Sequence, residues 1–554
     1  MTTLDWIVLG AFLAALAGIV IWVLLKKDKD TSDYFLAGRD ATWLAIGASI
    51  FASNIGSEHL VGLAGAGASS GMAMAHWEMH GWLILILGWL FVPFYSRSKV
   101  FTMPEFLEKR YNPQSRSFLS VISLVSYVLT KVAVTVYAGG VVFKDVFGIE
   151  AIRLFGAEID FFWVSAVGLV ALTGLYTTLG GMKAVLYTSV LQTPVLLLGS
   201  ILVLIIGLTK IGGWSEMMEV VRAAPVNEYG DSMANLIRSP KDPEFPWTGV
   251  LLGSAIIGFW YWCTDQYIVQ RVLSARNMTQ ARRGSIFGAY LKLTPVFIFL
   301  IPGMIAYVMN QKGMINLSSN DAAFSTLVKE LLPMGFKGVV IGGLLAALMS
   351  SLASLFNSLA MLFTVDFYKK YKPNATERHY VVVGKIATAV VVLLGILWIP
   401  VMRGLGKVLY AYLQDVQSLL APGIAAVFLL GILSKRTTPK AGLYGLIVGF
   451  ILGMLRLGLK LFADRMNPDG LIYRIFLAPN WLHYEIALFF IIILLMIVIS
   501  ALTKPKDFAS IRGLTLASVT PEQRAEVRGS YNKWDIINTA VIISIVIAFY
   551  IYFW

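Results

Sequence analysis

Charge is what this sequence has least of. Only 14% of its 554 residues are Asp, Glu, Lys or Arg, against about 25% in soluble domains. That is too little to clothe a water-soluble chain of this length, so a string of soluble domains is excluded. Cysteine is almost missing: Cys263 stands alone, which rules out a disulfide scaffold. A disordered chain is excluded by the 57% of hydrophobic residues. Also lacking are a Walker loop, a GxSxG elbow and an HExxH pair, so ATP hydrolysis is not encoded. No nucleophile–base pair is visible either, and no segment outside the apolar runs is long enough for an enzyme domain.

What the sequence does have is long hydrophobic runs. About 20 apolar residues cross a bilayer as helix, and we count 14 such stretches: 5–25, 42–66, 78–95, 118–147, 161–179, 184–208, 248–270, 284–308, 338–365, 380–400, 408–432, 441–463, 482–502 and 533–553. The first reads as a spanning helix, since Met1-Thr2-Thr3-Leu4-Asp5 offers no basic leader. A β-barrel is excluded because its strands need only about 10 alternating residues. The expectation is an all-α polytopic membrane protein.

Basic residues alternate from loop to loop. Lys26, Lys27, Lys29 and Arg39 lie in the first, and Arg97, Lys99, Lys109, Arg110 and Arg116 in the third. Later clusters are Arg271–Arg283, Lys369–Arg378 and Lys504–Arg528. Roughly 26 bases on one side face about 12 on the other, which the positive-inside rule assigns to cytoplasm and exterior. Both termini are then expected outside. The net charge of +13 is accounted for by topology without a nucleic-acid partner. The longest loop, 209–247, is expected to form a small external cap.

Polar groups at membrane depth are expensive and mark function. The second stretch contains Ala52-Ser53-Asn54-Ile55-Gly56-Ser57-Glu58-His59, with Gly62, Gly65 and Gly67 beyond. Such a segment unwinds readily and exposes carbonyl oxygens for a cation or solute; close packing of small residues is the alternative. In the ninth, Ala347, Ser350, Ser351 and Ser354 fall on neighbouring faces of a helix and offer hydroxyls to a hard cation, or again a packing seam. The seventh ends in Trp260-Tyr261-Trp262-Cys263-Thr264-Asp265-Gln266-Tyr267, where rings interleave with hydrogen-bonding groups as a sugar requires, or as an interfacial aromatic belt does. Glu78 and Lys292 are further ionisable groups, and Gln414 precedes a plausible kink at Pro422-Gly423. His76 and His80 are four apart, but no third ligand accompanies them at metal-site spacing.

These motifs carry a resemblance. Phe51–Ser57, Gly88–Pro93, Trp260–Gln266 and Ala425–Leu430 are similar to the sodium–glucose cotransporter branch of the sodium/solute symporters, over about residues 30–440. The resemblance implies a LeuT-like core of two inverted five-helix repeats with extra helices at both ends. The implied division is an N-terminal helix and cytoplasmic loop (1–41), a first repeat (42–208), an external loop (209–247), a second repeat (248–432) and three additional helices (433–554). It implies sodium bound by the carbonyls of Ala52, Ile55 and Ala347 and the hydroxyls of Ser350 and Ser351. It implies sugar bound by Asn54, His59, Glu78, Trp262, Lys292 and Gln414, with Tyr261 as platform and inner gate. His59 points to the glucose type.

One departure is Ser189, where the family usually has an aspartate associated with cation coupling. One sodium per sugar is therefore expected. The expected activity is alternating-access symport of a glucose- or galactose-type hexose. No cofactor is implied apart from sodium as coupling ion, and the partners are a small sugar, sodium and membrane lipid, with a monomer as the simplest unit. The expected location is the plasma membrane, or the inner membrane of a bacterium. Myo-inositol or an organic anion is the nearest alternative solute. A channel or a membrane sugar sensor is the rival from another class.

Overall fold

Hydrocarbon offers no water to backbone N–H and C=O groups, so an apolar chain must satisfy them internally. The computed structural model is accordingly almost all helix. It describes residues 1–554 other than Lys27, Ser57, Phe155 and 406–408, and side chains other than those of Leu129, Leu154 and 401–416 as well. Among the described residues the sole sheet is a hairpin, Ala151–Leu154 against Ala157–Asp160, which the hydropathy pattern had not indicated.

Among the described residues each expected stretch is mostly helix. Ten helices among the described residues are long and apolar enough to cross a membrane. One of these, Phe161–Ile211, carries both the 161–179 and the 184–208 stretch and turns sharply at Gly181. There φ is 53° and ψ −146°, and a Cβ would lie 2.4 Å from the Tyr34 carbonyl oxygen, so only glycine permits the turn. The 408–432 stretch lies on Leu409–Leu433. The 42–66 and 248–270 stretches are each divided into shorter helices, and these two interruptions organise the site.

Burial separates core from periphery. The apolar window of Phe336–Tyr371 is 89% buried, whereas those of Thr3–Leu24 and Lys533–Tyr552 are 22% buried and turn Leu, Ile and Trp side chains outward. Phe336–Met361 is thus a central helix, packed most extensively on Phe161–Ile211 and also on Trp43–Asn54. Small residues allow the closest approaches: a Cβ on Gly303 would lie 2.0 Å from the Ala64 carbonyl oxygen.

The loops form two separate layers. In one, Arg276 pairs with Asp40 (2.6 Å), Arg39 donates to the carbonyls of Lys99 and Val100, Lys506 donates to that of Lys109, and Thr31 and Lys369 both bond Glu377. These are the loops whose basic content was highest. In the other layer Asp5 caps the Phe336–Met361 helix through the N–H groups of Gly335 and Gly338. The 209–247 segment, which contains the helix Trp214–Ala223, is tied there to the last helix through Trp214–Tyr552 and Leu236–Phe553 hydrogen bonds.

Candidate functional site

Two helices stop and restart in mid-course. Trp43–Asn54 ends at Ile55, whose ψ of 111° is extended, and helix resumes with a wide turn over Glu58–Leu63 and then Ala64–Ser69. Trp247–Phe259 widens over Trp260–Thr264, becomes extended at Asp265 (ψ 127°), and restarts as Gln266–Leu273. Each break frees carbonyl oxygens that a continuous helix would have used.

At the first break the freed oxygens meet hydroxyls of the central helix. Ser351 Oγ lies 2.8 Å from the Ser53 carbonyl and 2.9 Å from that of Ile55. The Tyr267 hydroxyl also donates to the Ser53 carbonyl. Ser53 Oγ contacts Ser354 Oγ at 2.7 Å and Ser350 Oγ at 3.5 Å, and Ser189 Oγ reaches both Ser350 and Ser49 at 3.3 Å. Ala52 lies in the last turn before the break and Ala347 one turn before Ser351; both are buried. A cluster of neutral oxygens from two helices suits a small hard cation. Arg271 also belongs to the cluster, its Nη2 donating to Ser53 Oγ at 2.7 Å, and was not anticipated there.

Above this cluster a cavity is lined by Asn54, His59, Glu78, Tyr261, Trp262 and Lys292, six of the seven expected solute residues. A chain of hydrogen bonds connects four of them. Lys292 Nζ donates to Glu78 Oε2 (2.6 Å) and Asn54 Oδ1 (3.2 Å), and Asn54 Nδ2 donates to Tyr261 Oη (3.2 Å). His59 Nε2 lies 3.4 Å from Glu78 Oε2. Tyr261 and Trp262 meet edge to face at 4.9 Å. The seventh residue, Gln414, lies outside the described side chains. Gln417, one turn further along the same helix, lines the cavity in its own right, as does Glu58. Both were missed, although Glu58 stands beside His59 in the interrupted stretch and Gln417 is a polar group in an apolar one.

The second break is held differently. Lys131 Nζ pairs with Asp265 Oδ2 at 2.6 Å, and the rings of Tyr127, Trp260, Tyr261 and Tyr267 surround the ammonium at 4.7–5.3 Å. Tyr95 satisfies the freed Cys263 carbonyl at 2.7 Å. Tyr261 faces the solute cavity, while its neighbour Trp260, with Thr264 and Asp265, faces a second cavity toward Met103 and Gln266. Lys131 is an ionisable residue inside an apolar stretch, and the rule that singled out Lys292 applies to it equally. The two histidines have separate structural partners: His76 bridges Tyr550 and the Leu236 carbonyl, and His80 meets Ser254.

Broken helices facing a hydroxyl-rich central helix, with a polar cavity at mid-depth, define a secondary transporter with a LeuT-like core. Comparisons with known proteins agree. The Sodium:solute symporter family matches residues 34–449. A dog Sodium/myo-inositol cotransporter is 36% identical over 560 residues, covering 94% of this chain and 76% of its own. A sheep Sodium/glucose cotransporter 1 is 37% identical over 536 residues, covering 90% and 79%. The solved outward-open structure of a Na+-coupled sialic acid symporter superposes with a TM-score of 0.77 at 22% identity, over 91% of this chain and 99% of that one. The chain belongs to the sodium:solute symporter family: it is a multi-pass membrane transporter that couples a small solute to sodium.

Proposed function

We propose that the solute is a neutral ring polyol of hexose size, a glucose- or galactose-type hexose being the first reading. The observation that carries it is the hydrogen-bond chain Glu78–Lys292–Asn54–Tyr261 along one wall of a cavity that also presents His59 and two aromatic rings. Donors and acceptors alternate as hydroxyls require, and the rings offer faces to C–H groups. An organic anion fits less well, because Lys292 already has Glu78 and Glu58 adds a second carboxylate to the lining. Myo-inositol is the second reading, supported by the names of several relatives.

Sodium binds at Ile55 and Ala52 on the first break and at Ala347, Ser350 and Ser351 on the central helix, drawing the two together. The solute then binds, the repeats 42–208 and 248–432 rock against each other, and Tyr261 yields inward. Charge and gradient suffice for uphill transport. One charge crossing 100 mV contributes about 2.3 kcal/mol and a tenfold sodium gradient about 1.4, together enough for several hundredfold accumulation. The layer of basic loops is cytoplasmic and both termini are external, in the plasma membrane or a bacterial inner membrane.

The test is uptake of labelled glucose, galactose and myo-inositol into proteoliposomes under inward sodium or equal potassium gradients. Sodium-dependent accumulation of a hexose supports the first reading. Accumulation of myo-inositol alone replaces it with the second, and accumulation of none of the three removes the ring-polyol assignment.

A further inference from the structure

Far from the solute cavity, a second set of rings and charges collects where the last helix, Lys533–Tyr552, meets Trp43–Asn54 and Met278–Lys292. Two of these helices start just inside the layer of basic loops. Ala41 exchanges backbone hydrogen bonds with Ser274 and Arg276, and the Trp43 N–H donates to Gln280 Oε1 at 2.7 Å. Between the three helices lies a cavity of about 390 Å³. Trp43, Phe287 and Trp534 give it apolar walls, and Arg283, Asn532 and Asp535 its polar groups. Trp43 and Trp534 are 40% and 60% exposed, and Leu44, Ile536 and Ile537 beside them also point outward. Tryptophans in this position, between charged loops and outward apolar side chains, mark the membrane–water boundary. The cavity therefore lies at the depth of lipid headgroups and the first methylenes of their acyl chains.

Charge at this depth is unbalanced. Arg283 reaches Asp535 with Nε at 3.0 Å and Nη2 at 3.4 Å, and Asp535 also acts electrostatically on Arg282. Arg282 is fully buried, with its guanidinium over the rings of Trp89 (4.7 Å) and Tyr531 (5.2 Å), and its Nε and Nη2 have no hydrogen-bond partner. Lys533 stands 5.8 Å over the Trp534 ring and, among the described residues, pairs with no carboxylate. Three cations thus share one carboxylate, whose Oδ2 already accepts the Asn532 N–H at 2.9 Å. The nearby Arg276–Asp40 pair is balanced in itself and removes none of the excess.

We propose that this cavity is a binding site for an anionic phospholipid of the leaflet on the basic-loop side. Its phosphate lies at Arg283 and Lys533, and an acyl chain runs between Trp43 and Trp534 along Phe287. The headgroup offsets the surplus positive charge, and the chain covers aromatic walls that a soluble anion leaves bare. Two of the three helices joined by the lipid end at Asn54 and Lys292, which belong to the solute cavity.

The test is titration of the purified full-length protein in detergent with phosphatidylglycerol or with phosphatidylcholine of the same acyl chains, read as the lipid-induced rise in thermal midpoint. Phosphatidylglycerol is expected to act at about fivefold lower mole fraction than phosphatidylcholine, and glycerol phosphate to give no rise. Lys533→Gln, an exposed change, is expected to raise half-saturating phosphatidylglycerol about fivefold, the factor that one surface charge is worth against an anionic lipid. Trp534→Ala is expected to raise half-saturation for both lipids. Arg283→Gln is expected to abolish the preference between them; where that variant fails to fold, the two exposed changes decide. Equal action of the two lipids overturns the proposal, and so does a phosphatidylglycerol titration unaltered in either Lys533→Gln or Trp534→Ala. A rise with glycerol phosphate alone overturns it too, by making the ligand a free phosphate.

Discussion

At the first break, between Asn54 and Glu58, the freed carbonyls are met by hydroxyls, chiefly Ser351; at the second, around Asp265, a buried lysine–aspartate pair ringed by four aromatics does the holding. A hydroxyl-held break is adaptable. Its carbonyl oxygens can exchange a hydrogen bond from a serine hydroxyl for a cation, the hydroxyl keeping its proton and turning its oxygen to the ion, and no fixed pair must be separated. An ion pair at membrane depth is rigid by comparison, because separating it leaves charges that hydrocarbon does not solvate. One interruption thus offers exchangeable oxygens, and the other holds Tyr261 and Trp262 in a fixed arrangement. The two should respond to mutation in different currencies, ion affinity for the first and folding for the second.

The largest expected effect follows from the second break. Lys131→Met leaves Asp265 buried without its partner and should cost about 3–5 kcal/mol, seen as a large drop in thermal midpoint or loss of folded protein in detergent. A near-normal midpoint would mean that the pair does not hold the break. Next comes the cavity wall between the breaks. Lys292→Met strands Glu78 and removes a donor to Asn54, so solute half-saturation in uptake should rise by roughly tenfold to a hundredfold, corresponding to about 1.5–3 kcal/mol for a charged hydrogen bond. Solute kinetics within twofold of normal would detach Lys292 from the solute.

A smaller effect is expected at the first break itself. Ser351→Ala should raise half-saturating sodium about tenfold while expression and thermal midpoint in potassium stay close to normal. The smallest belongs to Gln417→Ala, where loss of one neutral hydrogen bond of about 0.5–1 kcal/mol should raise solute half-saturation about two- to fivefold without moving sodium activation. No change at all would make Gln417 a lining residue without a bond to the solute.

Much of this contrast was legible in the sequence, and unevenly so. The first break could be read directly, since glycine and small polar residues at 53–58 are poor helix formers and do not suit lipid. The second could not, because Trp260–Thr264 is a normal helical sequence and the break depends on Asp265 capping the next helix and on Lys131 arriving from another part of the chain. The aromatic and hydrogen-bonding residues there were recognised for their chemistry, not for their backbone. Glu58, Gln417 and Arg271 were overlooked for a related reason: a single polar residue declares its depth in the sequence, but the cavity or cluster it faces is set by tertiary packing. Gly181 shows how one permissive residue lets two apolar stretches join as one bent element.

The most direct test of the account is the sodium activation of solute uptake in proteoliposomes for Ser351→Ala beside the unaltered protein. The account predicts half-saturating sodium about tenfold higher, with solute half-saturation at saturating sodium unchanged. Identical sodium activation curves would contradict it, and would move the coupling ion away from the first break.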